Sequence, residues 1–220
     1  MAASHWRLIW LTLFSIAMAH VEAALVVHLR TIYYADNPLE IFPLVILSQR
    51  DLAIELAREA ATLVMLLTVA LLAEKGLIRV LAAFFYVFGL WDICYYLWLK
   101  LMIGWPQSWL EWDVLFLIPW PWFGPWITPA MIALIFVCWG GWTLYQKTHR
   151  RFTWVSATLV MLGIALSLTA FLLPGAALLP GGTDAFRNFR PAEFPWFLFA
   201  AGYLLLLVGL WRVSTKQVEQ

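Results

Sequence analysis

At 220 residues, with 64% hydrophobic and 12% charged side chains, the chain cannot dress a water-facing surface, since soluble domains carry about 25% charged residues. A formal net charge of +1 excludes the basic balance of a nucleic-acid-binding protein, and no nucleic-acid partner is expected. The partner that the composition implies is the lipid bilayer, and the 15 Trp residues suit its interfaces with water.

Taken in chain order, six mostly apolar runs are long enough to cross about 30 Å of hydrocarbon. They cover residues 8–29, 52–73, 80–102, 128–145, 154–173 and 195–213, and predict one all-α membrane domain, a polytopic transmembrane bundle of about six helices over 1–220. The first run has two readings. Arg7, the apolar stretch to Ala17 and the Ala17-Met18-Ala19 triplet resemble a cleavable signal peptide. Apolar character continues to Val27, however, and that length favours a first membrane helix that is kept. Cys94 and Cys138 both fall inside apolar runs and read as small buried hydrophobes rather than a disulfide framework.

Orientation follows from the basic residues in the connections. Arg7, Lys75 with Arg79, the run at 147–151, and Arg212 with Lys216 fall on one face only if the number of crossings is even. Both termini are therefore expected on the cytoplasmic side of a cell membrane, a bacterial inner membrane being the expected location. The three opposite loops, 31–51, 103–127 and 174–194, are long. The second carries Trp105, Trp109, Trp112, Trp120, Trp122 and Trp126 among Pro106, Pro119, Pro121 and Pro125. Proline at that density removes backbone donors and forbids a continuous helix. Exposed irregular backbone is not tolerated in lipid, so this loop should lie at the outer interface or dip inward under cover of protein. The third loop, with Asp184, Arg187, Arg190 and Glu193, is a candidate docking surface for membrane-protein partners.

Charged groups at membrane depth cost a few kcal/mol each and usually face the protein interior. The clear cases lie in the first three spans: His20 and Glu22; Glu55, Arg58 and Glu59; Asp92, Tyr95, Tyr96 and, near the end, Lys100. At about 1.5 Å per residue from the outer helix ends, Glu22 and Glu59 lie roughly 12 Å deep and His20 and Asp92 roughly 15 Å. Three helices thus place ionisable groups in one layer. His20 and Glu22 are about 200° apart around a helix, so they cannot both enter one small site.

Three readings compete for that layer. A buried ion-pair network would match Arg58 with a carboxylate and leave the other acids protonated or bonded to Tyr95 and Tyr96. A metal site would use His20, Glu22, Glu55, Glu59 and Asp92 as ligands for iron, manganese or zinc, although no Glu-x-x-His motif supports it. A proton or cation pathway would use the same acids. The acids outnumber Arg58 and need protons or a cation to balance them. The leading expectation is a metal-dependent membrane enzyme, redox or hydrolytic, acting on a lipid-soluble substrate. Glu59, Asp92, Arg58, Tyr95 and Tyr96 are its candidate catalytic residues. A non-catalytic subunit of a larger respiratory or transport complex and a small proton- or cation-coupled transporter are the alternatives.

Overall fold

A computed structural model describes residues 2–146 and 153–215. The basic run at 147–151 and Lys216, which entered the orientation argument, lie outside the described residues. The chain is a polytopic helical bundle: among the described residues, six helices are long and apolar enough to cross a membrane. These are α1 (Ala2–Tyr33), α2 (Gln49–Ala73), α3 (Leu77–Ile103), α4 (Ile127–Tyr145), α5 (Trp154–Ala176) and, after a short α6 (Gly182–Arg187), α7 (Trp196–Thr215). α1 to α5 contain their expected apolar runs and extend them, by as much as six residues at the start of α1, because polar residues at a helix end continue the backbone pattern that apolar counting ignores; α7 begins at Trp196, one residue after its expected start. α5 runs through Pro174 to Ala176, past its expected end at 173.

Local signals set several ends. Ser48 accepts the Asp51 N–H at 3.1 Å and so caps α2. Thr153 and Ser156 cap each other's backbone donors at the start of α5. Gly104, in the left-handed region at φ 75°, closes α3 by donating its N–H to the Lys100 carbonyl, and Lys100 Nζ folds over the same end onto the carbonyls of Gly104 (3.0 Å) and Pro106 (2.7 Å).

The bundle is built from two close helix pairs, α3 with α4 and α5 with α7, with α1 laid along α3. In lipid no hydrophobic force drives helices together, so small residues that let backbones approach supply the contact. A methyl added at Gly89 would stand 2.5 Å from the Ala133 carbonyl, and one at Gly163 2.6 Å from the Leu206 nitrogen. Thr12 shares a 2.8 Å hydrogen bond with the Tyr86 hydroxyl, and Trp98 donates to the Ile16 carbonyl at 3.1 Å, which registers α1 on α3. Cys138 lies on an exposed flank rather than in the core expected for it, because α4 turns that position toward lipid.

At one end, buried Glu74 receives Arg7 at 3.0 Å and Arg79 at 2.7 and 2.8 Å. Arg79 also donates to the Gln146 carbonyl at 3.1 Å. Arg7 and Arg79 therefore share one end of the molecule, as an even number of crossings between them requires. The opposite end holds the Trp- and Pro-rich segment, folded into an antiparallel hairpin of β1 (Trp112–Phe116) and β2 (Trp122–Pro125). It dips inward: Phe123 and, just before the hairpin, Trp105 are fully buried. Phe171, Phe194 and Phe199 form a cluster under it. At Gly124 the fit is close: a methyl would meet the Phe194 and Phe171 rings at 3.1 and 3.2 Å, and those rings would have to shift.

Candidate functional site

α2 is held to the bundle chiefly through α3, and toward the hairpin end it stands off α1. The gap is a cavity of about 550 Å³, walled by α1, α2, α3, the extended segment 34–48 and the hairpin. That volume falls within the range of small-molecule sites. Helical periodicity brings the polar groups to it. Glu22 and Arg30 lie two turns apart on one face of α1; Glu55, Arg58, Glu59 and Thr62 share one face of α2; Trp91, Asp92, Tyr95 and Tyr96 share one face of α3.

The charges are paired in two groups. Arg58 bridges the helices, contacting Glu22 of α1 through one arm and gripping Glu55 with the other, its Nε lying 3.0 Å from that carboxylate. Thr62 donates to Glu22 at 3.4 Å. Nearer the hairpin, Arg30, only 4% exposed, contacts Asp113 at 3.3 Å and places its guanidinium carbon over the Trp105 ring, 3.9 Å from the centroid. The Tyr96 hydroxyl donates to the other Asp113 oxygen at 3.3 Å. Burial pushes the Asp113 carboxyl above the usual carboxylate range, and the Arg30 guanidinium opposes that shift.

Three further lining carboxylates are in no ion pair among the described residues: Asp51, which accepts from the Ser48 hydroxyl at the start of α2, and, deeper in, Glu59 and Asp92. Glu59, 6% exposed, accepts the Leu117 N–H at 3.0 Å, which ties α2 to the hairpin. Asp92 has one oxygen, Oδ2, buried with no hydrogen-bond partner among the described residues; the same holds for Trp91 Nε1 and Arg30 Nη1. All three residues line the cavity. These three atoms are themselves enclosed by protein rather than open to the cavity. The remainder is apolar, with Val26, Leu29, Leu44, Ile46, Ile54 and Phe116 on the walls. Ile54 is 57% exposed, so the gap between α1 and α2 reaches the lipid-facing surface.

Glu22, Glu55, Arg58, Glu59, Asp92, Tyr95 and Tyr96 are thus brought to one cavity, and His20 is not. The His20 ring packs edge-on against Trp98 at 4.7 Å on an exposed flank of α1, as its offset from Glu22 requires. The five residues expected to ligate a metal do not converge. Among the described residues, no group of three or more His, Cys, Asp or Glu side chains is placed to hold a metal ion, and two of the four carboxylates in that set, Glu22 and Glu55, are taken up by Arg58. Of the residues expected at the docking surface, Asp184 and Arg187 pair with each other at 3.8 Å in solvent.

Arg30, Asp113 and Trp91 were not singled out by the sequence. Arg30 could have been found by helical phase, lying eight residues beyond Glu22. Asp113 is an acid opening the apolar run Val114–Leu115–Phe116–Leu117–Ile118, unusual for an exposed loop. Neither family models nor curated proteins nor solved structures match the chain.

Proposed function

We propose that the chain is a membrane enzyme that takes a lipid-soluble substrate into the crevice between α1 and α2 and carries out proton transfer on it with Glu59 and Asp92. The observation that carries this reading is the pairing of an apolar, laterally reached cavity of about 550 Å³ with two carboxylates on its helical walls, Glu59 and Asp92, that are left out of its ion pairs. General acid–base catalysis needs a carboxyl whose charge can change, and a carboxylate locked to a guanidinium is a poor candidate. Arg58 therefore serves as a positioning residue that fixes Glu22 and Glu55, while Tyr95 and Tyr96 frame Asp92. The basic helix ends support insertion into a bacterial inner membrane with both termini cytoplasmic.

The test is chemical analysis of what the purified full-length protein carries. Wild type and Glu59→Gln are extracted and their bound small molecules compared by mass spectrometry. The expected result is a near-stoichiometric lipid-soluble molecule in both, differing between them by the chemical change that wild type performs. Protein that carries no such molecule sinks the reading. The same unaltered molecule in both preparations leaves binding without catalysis. A second reading, a non-catalytic subunit, draws on the Arg58 bridge between α1 and α2, which would serve helix assembly alone. It requires an empty crevice and a co-purifying protein.

A further inference from the structure

Charge along the crevice is out of balance. The carboxylates of Glu22, Asp51, Glu55, Glu59, Asp92 and Asp113 line the cavity against the guanidiniums of Arg30 and Arg58. Both arginines are already engaged, Arg58 by Glu22 and Glu55 and Arg30 by Asp113. Asp51 stands in the first turn of α2, whereas Glu59 lies about 12 Å further in along the helix axis. Glu59 is 6% exposed, and one of its oxygens, Oε2, accepts the Leu117 N–H at 3.0 Å. The other, Oε1, takes no hydrogen bond among the described residues and is not one of the enclosed unmet atoms, so it opens onto the cavity. Aromatic rings line the same space: Tyr33 and Tyr34 of α1, and Trp91 and Tyr95 of α3, the last two stacked at 6.4 Å.

These surroundings sort the head groups that could enter. A carboxylate or phosphate would add charge of the wrong sign and would find both arginines taken. A hydroxyl can share only a neutral hydrogen bond with Glu59, about half as strong as a charge-assisted one. A quaternary ammonium gains from aromatic rings but offers no N–H to Oε1. A protonated amine supplies the missing positive charge, the N–H and a cation for the rings. Resting on the reading of the crevice as a substrate site, we infer that its substrate is a lipid-soluble amine bearing at least one N–H. Its ammonium donates to Glu59 Oε1 beside the Trp91 and Tyr95 rings, and its apolar body runs along Val26, Leu29 and Ile54 toward the lipid-facing gap. Glu59 then recognises the head group as well as exchanging a proton with it, a role distinct from the Arg58 bridge.

The test uses the full chain in phosphatidylcholine nanodiscs and probes that share one alkyl chain: dodecylamine, dodecyltrimethylammonium, dodecanol and dodecanoate. Binding is expressed per mole fraction in the lipid, so that partitioning cancels. Dodecylamine should bind about tenfold tighter than dodecanol, the gain of a charge-assisted hydrogen bond over a neutral one. Glu59→Gln, which keeps an oxygen for the Leu117 N–H, should remove most of that preference and leave dodecanol nearly unchanged. Trp91→Leu provides a second variant and should weaken the amine more than the alcohol, while the ranking on wild type needs no variant. Dodecanol or dodecanoate binding as tightly as the amine overturns the inference. Equal binding of dodecyltrimethylammonium, which has no N–H, overturns it too. Each of those results leaves the crevice a lipid-soluble ligand site. Failure of every probe to bind overturns the inference, and together with a preparation free of any extracted molecule it overturns the crevice reading as well.

Discussion

Arg30 and Asp113 stand 83 residues apart in sequence, and their pairing decides how the hairpin meets the helices. Removing one partner of a buried pair leaves an uncompensated charge and typically costs about 3–5 kcal/mol, whereas replacing both can be nearly neutral. Asp113 also carries a pH signature. Its carboxyl is raised above the ordinary value of 3.8, so the folded protein holds that proton more tightly than the unfolded chain does. The resulting contribution is complete below pH 3.8 and is lost as pH rises through the folded value. Asp113→Asn removes this dependence. The stability difference between wild type and Asp113→Asn should therefore shift in favour of wild type as pH falls from 6 to 4, read by unfolding in detergent at each pH. A difference that stays flat, or shifts the other way, contradicts the assignment. Neither residue was legible as part of a site. In the sequence each sits beside an apolar run, where charges normally mark a loop, and only the inward dip of the hairpin makes them neighbours. Glu22, Glu59 and Asp92, by contrast, were legible because a charge inside an apolar run has few harmless explanations.

Among the elements, the helices answer to local physics and the hairpin does not. Twenty apolar residues specify a membrane helix whatever surrounds them. β1 and β2 are short strands joined through Pro119 and Pro121, with a register irregularity between Val114 and Phe116, and they pack on the Phe171, Phe194 and Phe199 floor. The phase of a helix is equally decisive: the two-residue offset between His20 and Glu22 sends one to lipid and the other to the cavity. At the far end, the Glu74 node joins the start of α1 to the turn between α2 and α3, and Arg79 extends it to the end of α4. Glu74→Ala should cost about 1–3 kcal/mol, since it strands Arg79 among carbonyls it cannot neutralise. Arg7→Ala should cost under about 1 kcal/mol, because the Arg7 side chain is half in solvent and its pair is screened. Denaturation midpoints of the two variants check the order; a neutral Glu74→Ala would show that the node is ornamental.

For the whole molecule, the arrangement of spans was readable from composition because the bilayer imposes one length on every crossing. The orientation in the membrane rests on the basic residues, and it makes its own prediction. Reporter domains fused after Gln220 and inserted at residues 147–151 should both report the cytoplasm, and one inserted at Asp36 should report the opposite side. An external C-terminal reporter would overturn the orientation. The division of labour was also partly readable. The later spans contain no charged residue between their ends, and α4, α5 and α7 pack through small residues, while α1, α2 and α3 enclose the polar cavity. The cavity itself was not readable, because it depends on α2 standing away from α1, and no residue pattern records a gap.

That gap sets what concentration means for this protein. On the proposed reading, a crevice reached between two helices from the hydrocarbon would meet its ligand as a solute in a two-dimensional solvent, at the mole fraction to which partitioning has raised it. Diluting the protein into more lipid at a fixed total amount of ligand would empty the crevice, and adding water would not. Two ligands with equal contacts inside the crevice would differ in apparent aqueous affinity by the ratio of their partition coefficients, at about 0.8 kcal/mol per methylene. A long apolar tail would therefore strengthen apparent binding even where it touches nothing in the protein.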